Sequence, residues 1–371
     1  MVLTVTTNLG LDHDEDTMIP IKSLDLPTDI DVTKISCGGN HTVILLSTGR
    51  VLGCGDNSLG QLCSDDQAKQ IIGWKEICSG YNVIDVTCCW DSTTIVTADG
   101  KVYSRGSGLK GELGLGSSNL ENKSNFELVM DCSKYAGYRV YSSFQNCILV
   151  LDKKEDNGSI VYAWGNNTKC QINEPKGRRL ASPIVMYETF EIRVANVVMG
   201  KDFNLLMTPQ GKIIHVNGKT PEDFTKDFET RWKFAKELEV KSMWSSIHIR
   251  DKSVPNKIHS YGNNIHGQVF DQSQLSPSEC IANFTTGSEH GILVSKDRDH
   301  NDHELYQLSC WGWGEHGNCG SVQDHEEKQW VNDKHNVTSP LNPVAKAISR
   351  PMVYGGCATT WIVSNDPLAI L

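Results

Sequence analysis

The sequence predicts an all-β chain folded as a seven-bladed β-propeller, and three observations carry that expectation. A corner of the form Gly-x-x-His, or Gly-x-x-polar, precedes a short apolar strand, as in Gly38-Gly39-Asn40-His41 and Gly287-Ser288-Glu289-His290. A glycine turn and a second strand ending in glycine follow, and then a polar, glycine-rich loop. The unit recurs with starts at Gly38, Cys89, Ser143, Gly200, Trp244, Gly287 and Gly355, at intervals of 43 to 68 residues. Paired short strands at such a period read as a closed array of sheets in which only short, protected edges remain.

Taken in order, the first strands of the pattern are Thr42 to Leu46, Thr93 to Val96, Ile148 to Val150, Leu205 to Met207 and Ile292 to Val294. Thr48-Gly49, Asp99-Gly100 and Gln210-Gly211 are hairpin signals, because tight turns need the positive φ that glycine supplies. The second strands, Val51 to Cys54, Val102 to Ser104, Val161 to Trp164 and Ile258 to Tyr261, are β-branched and aromatic, and Gly55, Gly106, Gly165, Gly262 and Gly312 end such strands. The last module, Val353 to Val363, lacks its own second strand. Its partner is expected from the N-terminus, with Met1 to Thr6 as the candidate. Two polar stretches, 296–307 and 321–350, read as insertions in this single domain: an extended hairpin and a long surface loop.

The chain has 371 residues and a net charge of −10. A nucleic-acid footprint should be basic, so direct nucleic-acid binding is not expected. No apolar run approaches the length of a membrane span, and the N-terminus has neither the basic start nor the apolar stretch of a signal peptide. Thirteen cysteines occur without a CxxC pair, and most fall at core strand positions. They read as small apolar packers in a reducing compartment, with no zinc site and no cofactor of their own. The expected location is cytoplasmic, with a nuclear pool left open.

The framework Gly-x-x-His…Asp-Gly-x-Val-x-x-x-Gly-x-Asn-x-x-Gly-Gln-Leu resembles the regulator of chromosome condensation repeat family, which forms seven-bladed propellers. The loop motifs NNTKCQINEPKGRRL, MGKDF, MWSSIH, TGSEHGIL, CWGWGEHGNCG and GGCATTWIV extend the resemblance from Leu9 to Val363. They point to a branch of that family whose members are non-enzymatic accessory proteins. The resemblance implies a heterodimer with a small, cysteine-rich, zinc- or iron-binding electron-carrier protein of the diphthamide pathway. It also implies an indirect link to Elongator, in wobble-uridine modification of tRNA and diphthamide synthesis on elongation factor 2. The founding member implies a different activity, guanine-nucleotide exchange on a small GTPase. Against that reading, the residues before the first module are acidic (Asp12, Asp14, Glu15, Asp16).

The corners are expected at one mouth of the central channel, before each innermost strand. They carry Asn40, His41, Trp90, Asp91, Gln145, Asn146, Lys201, Asp202, Trp244, Ser245, Glu289 and His290. Aromatic anchors ringed by polar and charged groups suit a protein interface, where tryptophan dominates binding energy and charge sets orientation. The bland alternative is that the histidines satisfy neighbouring groups in the core and the tryptophans fill gaps between blades. Trp313, Glu315 and His316 fall beyond the structural Trp311 in a glycine-flanked loop and form a second candidate contact. His300 to His303, with His316 and His325, could bind a metal, but a hydrophilic excursion is better read as a solvated loop. Neither a phosphate-binding glycine loop nor a local nucleophile–base arrangement is present, so no enzyme activity is expected.

Overall fold

Every residue of His41–Leu46, Ser92–Thr97 and Asn146–Asp152 is buried. This is how a strand behaves when it has neighbours on both edges and on both faces. Each is the second strand of an antiparallel sheet, and the expected strands all form, one to six residues longer than their apolar cores. The structure, a computed structural model, describes residues 2–4, 9–11, 13, 15–62, 68–254, 256–298, 304–320 and 338–371.

In six blades the main strands come from one continuous stretch of chain. Blade one comprises Val32–Cys37, His41–Leu46, Val51–Asp56 and Gln70–Ile77. Blade two comprises Val83–Cys89, Ser92–Thr97, Lys101–Ser107 and Glu121–Asp131, and blade three Gly137–Ser143, Asn146–Asp152, Ser159–Gly165 and Leu180–Glu188. Blades four and five have three strands each: Asn196–Met199, Phe203–Met207 and Ile213–Gly218, then Leu238–Ser242, Ser246–Asp251 and Ile258–Gly262. Blade six comprises Cys280–Thr286, His290–Arg298, Glu304–Trp313 and Thr338–Ala347, with Ala369–Ile370 added at its edge.

The expected seven-bladed ring is corrected by this count: there are six blades, not seven. The remaining sheet is a three-stranded closure made from both ends of the chain. Met352–Gly355 pairs with Thr359–Val363, and Val2–Thr4 adds in register, Val2 opposite Trp361 and Thr4 opposite Thr359. After the last corner only Thr359–Val363 joins this sheet, because Ala369–Ile370 pairs at the edge of blade six. The N-terminal partner falls within the expected Met1 to Thr6.

Three further expectations change. The innermost strand of each blade is the one before the corner, not after it: Val32–Cys37 packs on Val83–Cys89, which packs on Gly137–Ser143, and so on around the axis. The second insertion, 321–350, contains Thr338–Ala347, the fourth strand of blade six, and 321–337 lies outside the described residues. In the first insertion, the strands of blade six continue through 296–298 and 304–307 as an extended hairpin, with 299–303 outside the described residues. Finally, a helix, Glu222–Asp227, and a wide turn, Phe228–Trp232, stand between blades four and five. Phe224 and Trp232 pack there with Phe203, Leu205, Ile247 and Tyr261. The Trp232 indole donates to the Tyr261 hydroxyl at 2.9 Å, and that hydroxyl donates to Asp227 at 2.8 Å. Among the described residues no helix is long and apolar enough to cross a membrane.

Two glycine positions explain the signature. A Cβ on Gly38 would lie 2.1 Å from the His41 ring, and one on Gly287 would lie 2.2 Å from the His290 ring. The histidine thus lies where a side chain on its own corner glycine would go, which is why the two recur three apart. At the end of the third strand, Gly165 has φ +114°, and a Cβ there would meet the Gln145 carbonyl oxygen at 2.2 Å. The backbones of corner and strand close on each other at that point.

Candidate protein-docking face

The corners turn between the first and second strand of each sheet, and backbone hydrogen bonds link them around the axis. The N–H of Gly39 donates to the Trp90 carbonyl at 2.8 Å, and that of Trp90 to the Phe144 carbonyl at 3.1 Å. Lys201 donates to Trp244 at 2.9 Å, Trp244 to Ser288 at 2.7 Å, and Ser288 to Gly356 at 2.9 Å. Within a corner, the first residue's N–H donates to the carbonyl three residues on. This holds for Gly38, Gly200, Met243, Gly287 and Gly356. The true starts are therefore Met243 and Gly356, one residue away from the expected Trp244 and Gly355.

That alignment puts Trp90, Phe144 and Trp244 at equivalent places, and their rings meet over the axis. The centroids of Trp90 and Phe144 are 5.1 Å apart, those of Phe144 and Trp244 5.0 Å, and those of Trp90 and Trp244 5.8 Å. Edge-to-face and tilted contacts of this kind are favourable beyond simple burial. All three rings are half-buried, so the cluster plugs the channel and still presents an aromatic surface. The Lys201 ammonium lies 5.0 Å from the Phe144 ring centre, a cation–π arrangement.

Charge is arranged on two sides of this plug. Asp91, half-buried beside Trp90, has its pKa raised by burial and then by the field of Asp56. Burial pushes the Glu112 carboxyl up to about 7; the N–H groups of Glu112 and Lys110 oppose the shift, and the field of Asp91 adds to it. Across the plug, a cleft of about 530 Å³ opens beside Trp244, with Lys201, Lys219, Lys226, Asp202 and Glu222 in its walls. Lys226 is committed to Glu222 at 2.7 Å. Glu289 accepts from Ser245 at 2.7 Å and Gln268 at 3.1 Å; burial raises its pKa, and these two donors lower it in part.

The structure brings together some of the expected contact residues and withdraws others. Trp90, Asp91, Gln145, Lys201, Asp202, Trp244, Ser245 and Glu289 are partly or fully exposed on the corner face, as is Asn40. His41 and His290 are buried in the core, 0% and 1% exposed, and face the next sheet instead of the mouth. Burial holds both imidazoles near a pKa of about 4, so they are neutral. Asn146 is likewise buried, its amide spent on the Asn166 carbonyl. Trp313 is not in the loop but ends the strand Glu304–Trp313, and it stacks on His266 at 4.4 Å with the rings 22° apart. Glu315 is exposed, and His316 lies 3.6 Å from Asp16. Phe144, the third ring of the plug, was not among the expected residues. Its signal was the corner spacing itself, read with Gln145 in its place.

Trp164 and Trp311 sit in the core as expected, and both brace a neighbouring blade. The Trp164 indole donates to the Glu112 carbonyl at 2.7 Å, and that of Trp311 to the Gln268 carbonyl at 3.0 Å. The described cysteines are free thiols, mostly buried. His300 to His303 and His325 lie outside the described residues. Among the described residues no cluster of three or more His, Cys, Asp or Glu side chains is placed to hold a metal ion.

Residues 32–61, the first corner with its flanking strands, match the Regulator of chromosome condensation (RCC1) repeat. The first blade of this propeller thus carries an RCC1 repeat. It is 26% identical to RCC1 repeat-containing protein C10F6.04 of Schizosaccharomyces pombe, over 99% of both chains. It is 24% identical to the mouse secretion-regulating guanine nucleotide exchange factor, over 94% of this chain and 79% of that one. Prp20p from Saccharomyces cerevisiae, a solved structure, superposes over 98% of this chain and 91% of its own, with a TM-score of 0.65 and 15% identity. At that identity the likeness to Prp20p is one of fold.

Proposed function

We propose that this RCC1-repeat chain is a docking propeller without chemistry of its own, which grips a protein partner on its corner face. The observation that carries the reading is the Trp90–Phe144–Trp244 cluster, half-exposed at the centre of that face, with Asp91 on one side and a cleft of mixed charge on the other. Large rings held rigid by one another lose little entropy on binding and supply the buried centre of an interface.

Guanine-nucleotide exchange on a small GTPase is the finer reading that the relatives support better. The mouse relative carries that activity in its name and aligns over nearly the whole of this chain. An accessory role with a small cysteine-rich zinc protein, linked to Elongator and diphthamide synthesis, is the second. It rests on the resemblance of the loop motifs to the yeast alpha-tubulin suppressor. One observation favours it: MGKDF, MWSSIH, TGSEHGIL and GGCATTWIV, at 199–203, 243–248, 286–293 and 355–363, all turn at the corner face. Their partly or fully exposed members, Lys201, Asp202, Trp244, Ser245 and Glu289, lie on the surface where a partner would read them.

Affinity purification of the tagged protein from its own cells, with mass spectrometry and metal analysis of the eluate, separates the two. A small GTPase released by GTP supports exchange, to be checked by nucleotide-release kinetics. A stoichiometric small zinc protein supports the accessory role. Either partner should be lost with Trp244→Ala, and retention by that variant would overturn docking on this face.

A further inference from the structure

Beneath the aromatic plug, the innermost strands line an open cavity of about 250 Å³ on the propeller axis. Its wall includes Lys34, Ser36, Tyr141, Asn196, Lys241 and Ser242. The plug blocks the corner end, so a ligand would enter from the opposite face. A polar cavity of this kind is defined by which of its hydrogen-bonding groups are already spent.

The nearby carboxylates are spent. Asp85, the carboxylate nearest the wall, receives the Lys34 ammonium at 2.7 Å and the backbone N–H groups of Val86 at 2.9 Å and Val140 at 2.7 Å. Lys34 is also held by the Val140 carbonyl at 2.9 Å. Glu239, two residues before Lys241 on the same strand, is taken by Arg250, whose Nε donates to it at 2.8 Å. The Tyr141 hydroxyl donates to the Ala195 carbonyl at 3.2 Å, and the Thr286 hydroxyl to the Ser242 carbonyl at 2.7 Å.

Several donors are not. Ser36 Oγ accepts from the Cys88 N–H at 2.9 Å, which leaves its own proton to give. The Ser242 hydroxyl and the Asn196 amide have no hydrogen-bond partner among the described residues. Lys241, partly buried in the wall, has no carboxylate partner among them either. A partly buried ammonium without a counter-charge gains by pairing, and a cavity with unspent donors can take up an anion.

We infer that the axial cavity is an anion site that holds one small oxyanion of the phosphate or sulfate class. Lys241 supplies the charge, and Ser36, Ser242 and Asn196 supply neutral hydrogen bonds. The site is independent of the corner face and of the partner proposed there, since the plug lies between them. A free ion and the terminal phosphate of a larger molecule share this chemistry. The small volume and the blocked end favour the free ion.

The test is isothermal titration of the full chain with inorganic phosphate, with sulfate and with ATP, at constant ionic strength and without other multivalent anions. One site per chain for phosphate or sulfate is expected, weakened tenfold or more by Lys241→Met and a few-fold by Ser36→Ala. Lys241→Arg, which keeps the charge, should retain most of the affinity. Binding of ATP but not of the free ions would assign the chemistry to a tethered phosphate. Absence of heat with every probe, or an affinity unchanged in Lys241→Met, would overturn the site. If Lys241→Met does not fold, Ser36→Ala and Ser242→Ala decide it: unchanged binding in both counts against the proposal.

Discussion

His41 reaches across from blade one to blade two, its Nε2 lying 3.2 Å from the Thr93 hydroxyl, and neither side chain is exposed. His290 makes the same contact from blade six to the closing sheet, 3.0 Å from the Thr360 hydroxyl. A neutral imidazole can serve such a buried hydroxyl, whereas an imidazolium would pay for lost hydration with no carboxylate bonded to it.

Acid should therefore unfold this protein through its core histidines. Burial lowers His41 and His290 to about 4 and His248 to about 3, from an ordinary 6.5. Below 6.5 the unfolded chain takes up protons that the folded one refuses. Stability is thus complete above pH 6.5 and is lost as pH falls toward 4. Each histidine contributes roughly 2 kcal/mol to the loss between pH 7 and pH 5. Urea midpoints across that range should fall steeply, and less so in His41→Gln. A flat profile would show the histidines to be charged in the fold.

Asp152 ties blade three together and should fail in a different pH window. Its carboxylate, 2% exposed, accepts two bonds from Arg139 at 2.8 and 2.7 Å and one from Ser159 at 3.1 Å, and it pairs with Arg193 at 2.9 Å. Burial alone would raise its pKa, but Arg139, Arg193 and Ser159 together hold it below the usual range. Its stabilisation is present above the unfolded carboxylate range and is lost only as pH falls below about 4. Asp152→Ala leaves Arg139 in a half-buried site without its partner, at a cost of about 3 kcal/mol or more. A loss below about 1 kcal/mol at pH 7 would show that the cluster behaves like an exposed pair.

Gly165→Ala should cost about 3 kcal/mol, because φ +114° is strained for alanine and the new methyl meets backbone atoms of Gln145 and Asn146 at 2.2 and 2.9 Å. Gly80 is the control: its φ is +93° but nothing lies within 4 Å of a Cβ. Gly80→Ala should lose only the strain, about 1 kcal/mol. Equal losses in thermal or urea denaturation would mean that the close approach at Gly165 is not rigid.

Much of this architecture was legible because its signals are local. The Gly38/His41 and Gly287/His290 pairs mark corners through a contact inside four residues, and turns such as Thr48-Gly49 mark hairpins within two. What was misread depends on contacts that span blades. Met243 begins its corner without glycine, since its role is filled by a backbone N–H bonded to Ser246, and so Trp244 was placed one residue out of frame. Phe144 was passed over within a correctly placed corner, Gln145 being read in its place, although its ring is the one on which both tryptophans lean. The innermost position of Val32–Cys37 and its equivalents is decided by neighbours about fifty residues away, which apolar patterning within one strand does not reveal. The blade count failed at the chain ends, where three strands from two segments make a sheet that no repeat encodes. The helix Glu222–Asp227 had a readable start, Pro221 followed by two acidic residues in the first turn, but it interrupts the strand repeat and was absorbed into it.

The corner plug offers the sharpest test of function, because the same rings could be read as core. Trp90 and Trp244 are half-exposed and make part of their contacts with each other and with Phe144, so Trp90→Ala or Trp244→Ala should cost the fold about 1 to 2 kcal/mol. Loss of an anchor at the centre of an interface costs about 2 kcal/mol or more in binding, some thirtyfold in Kd for the captured partner. Trp164→Phe is the counterpart: that ring is 0% exposed and its indole holds the Glu112 carbonyl, so the variant should lower thermal stability and leave Kd unchanged. The two classes of variant must therefore separate when Tm is plotted against Kd. If Trp90→Ala and Trp244→Ala instead fall with Trp164→Phe, losing Tm without losing affinity, the rings serve only to close the channel and the partner docks elsewhere.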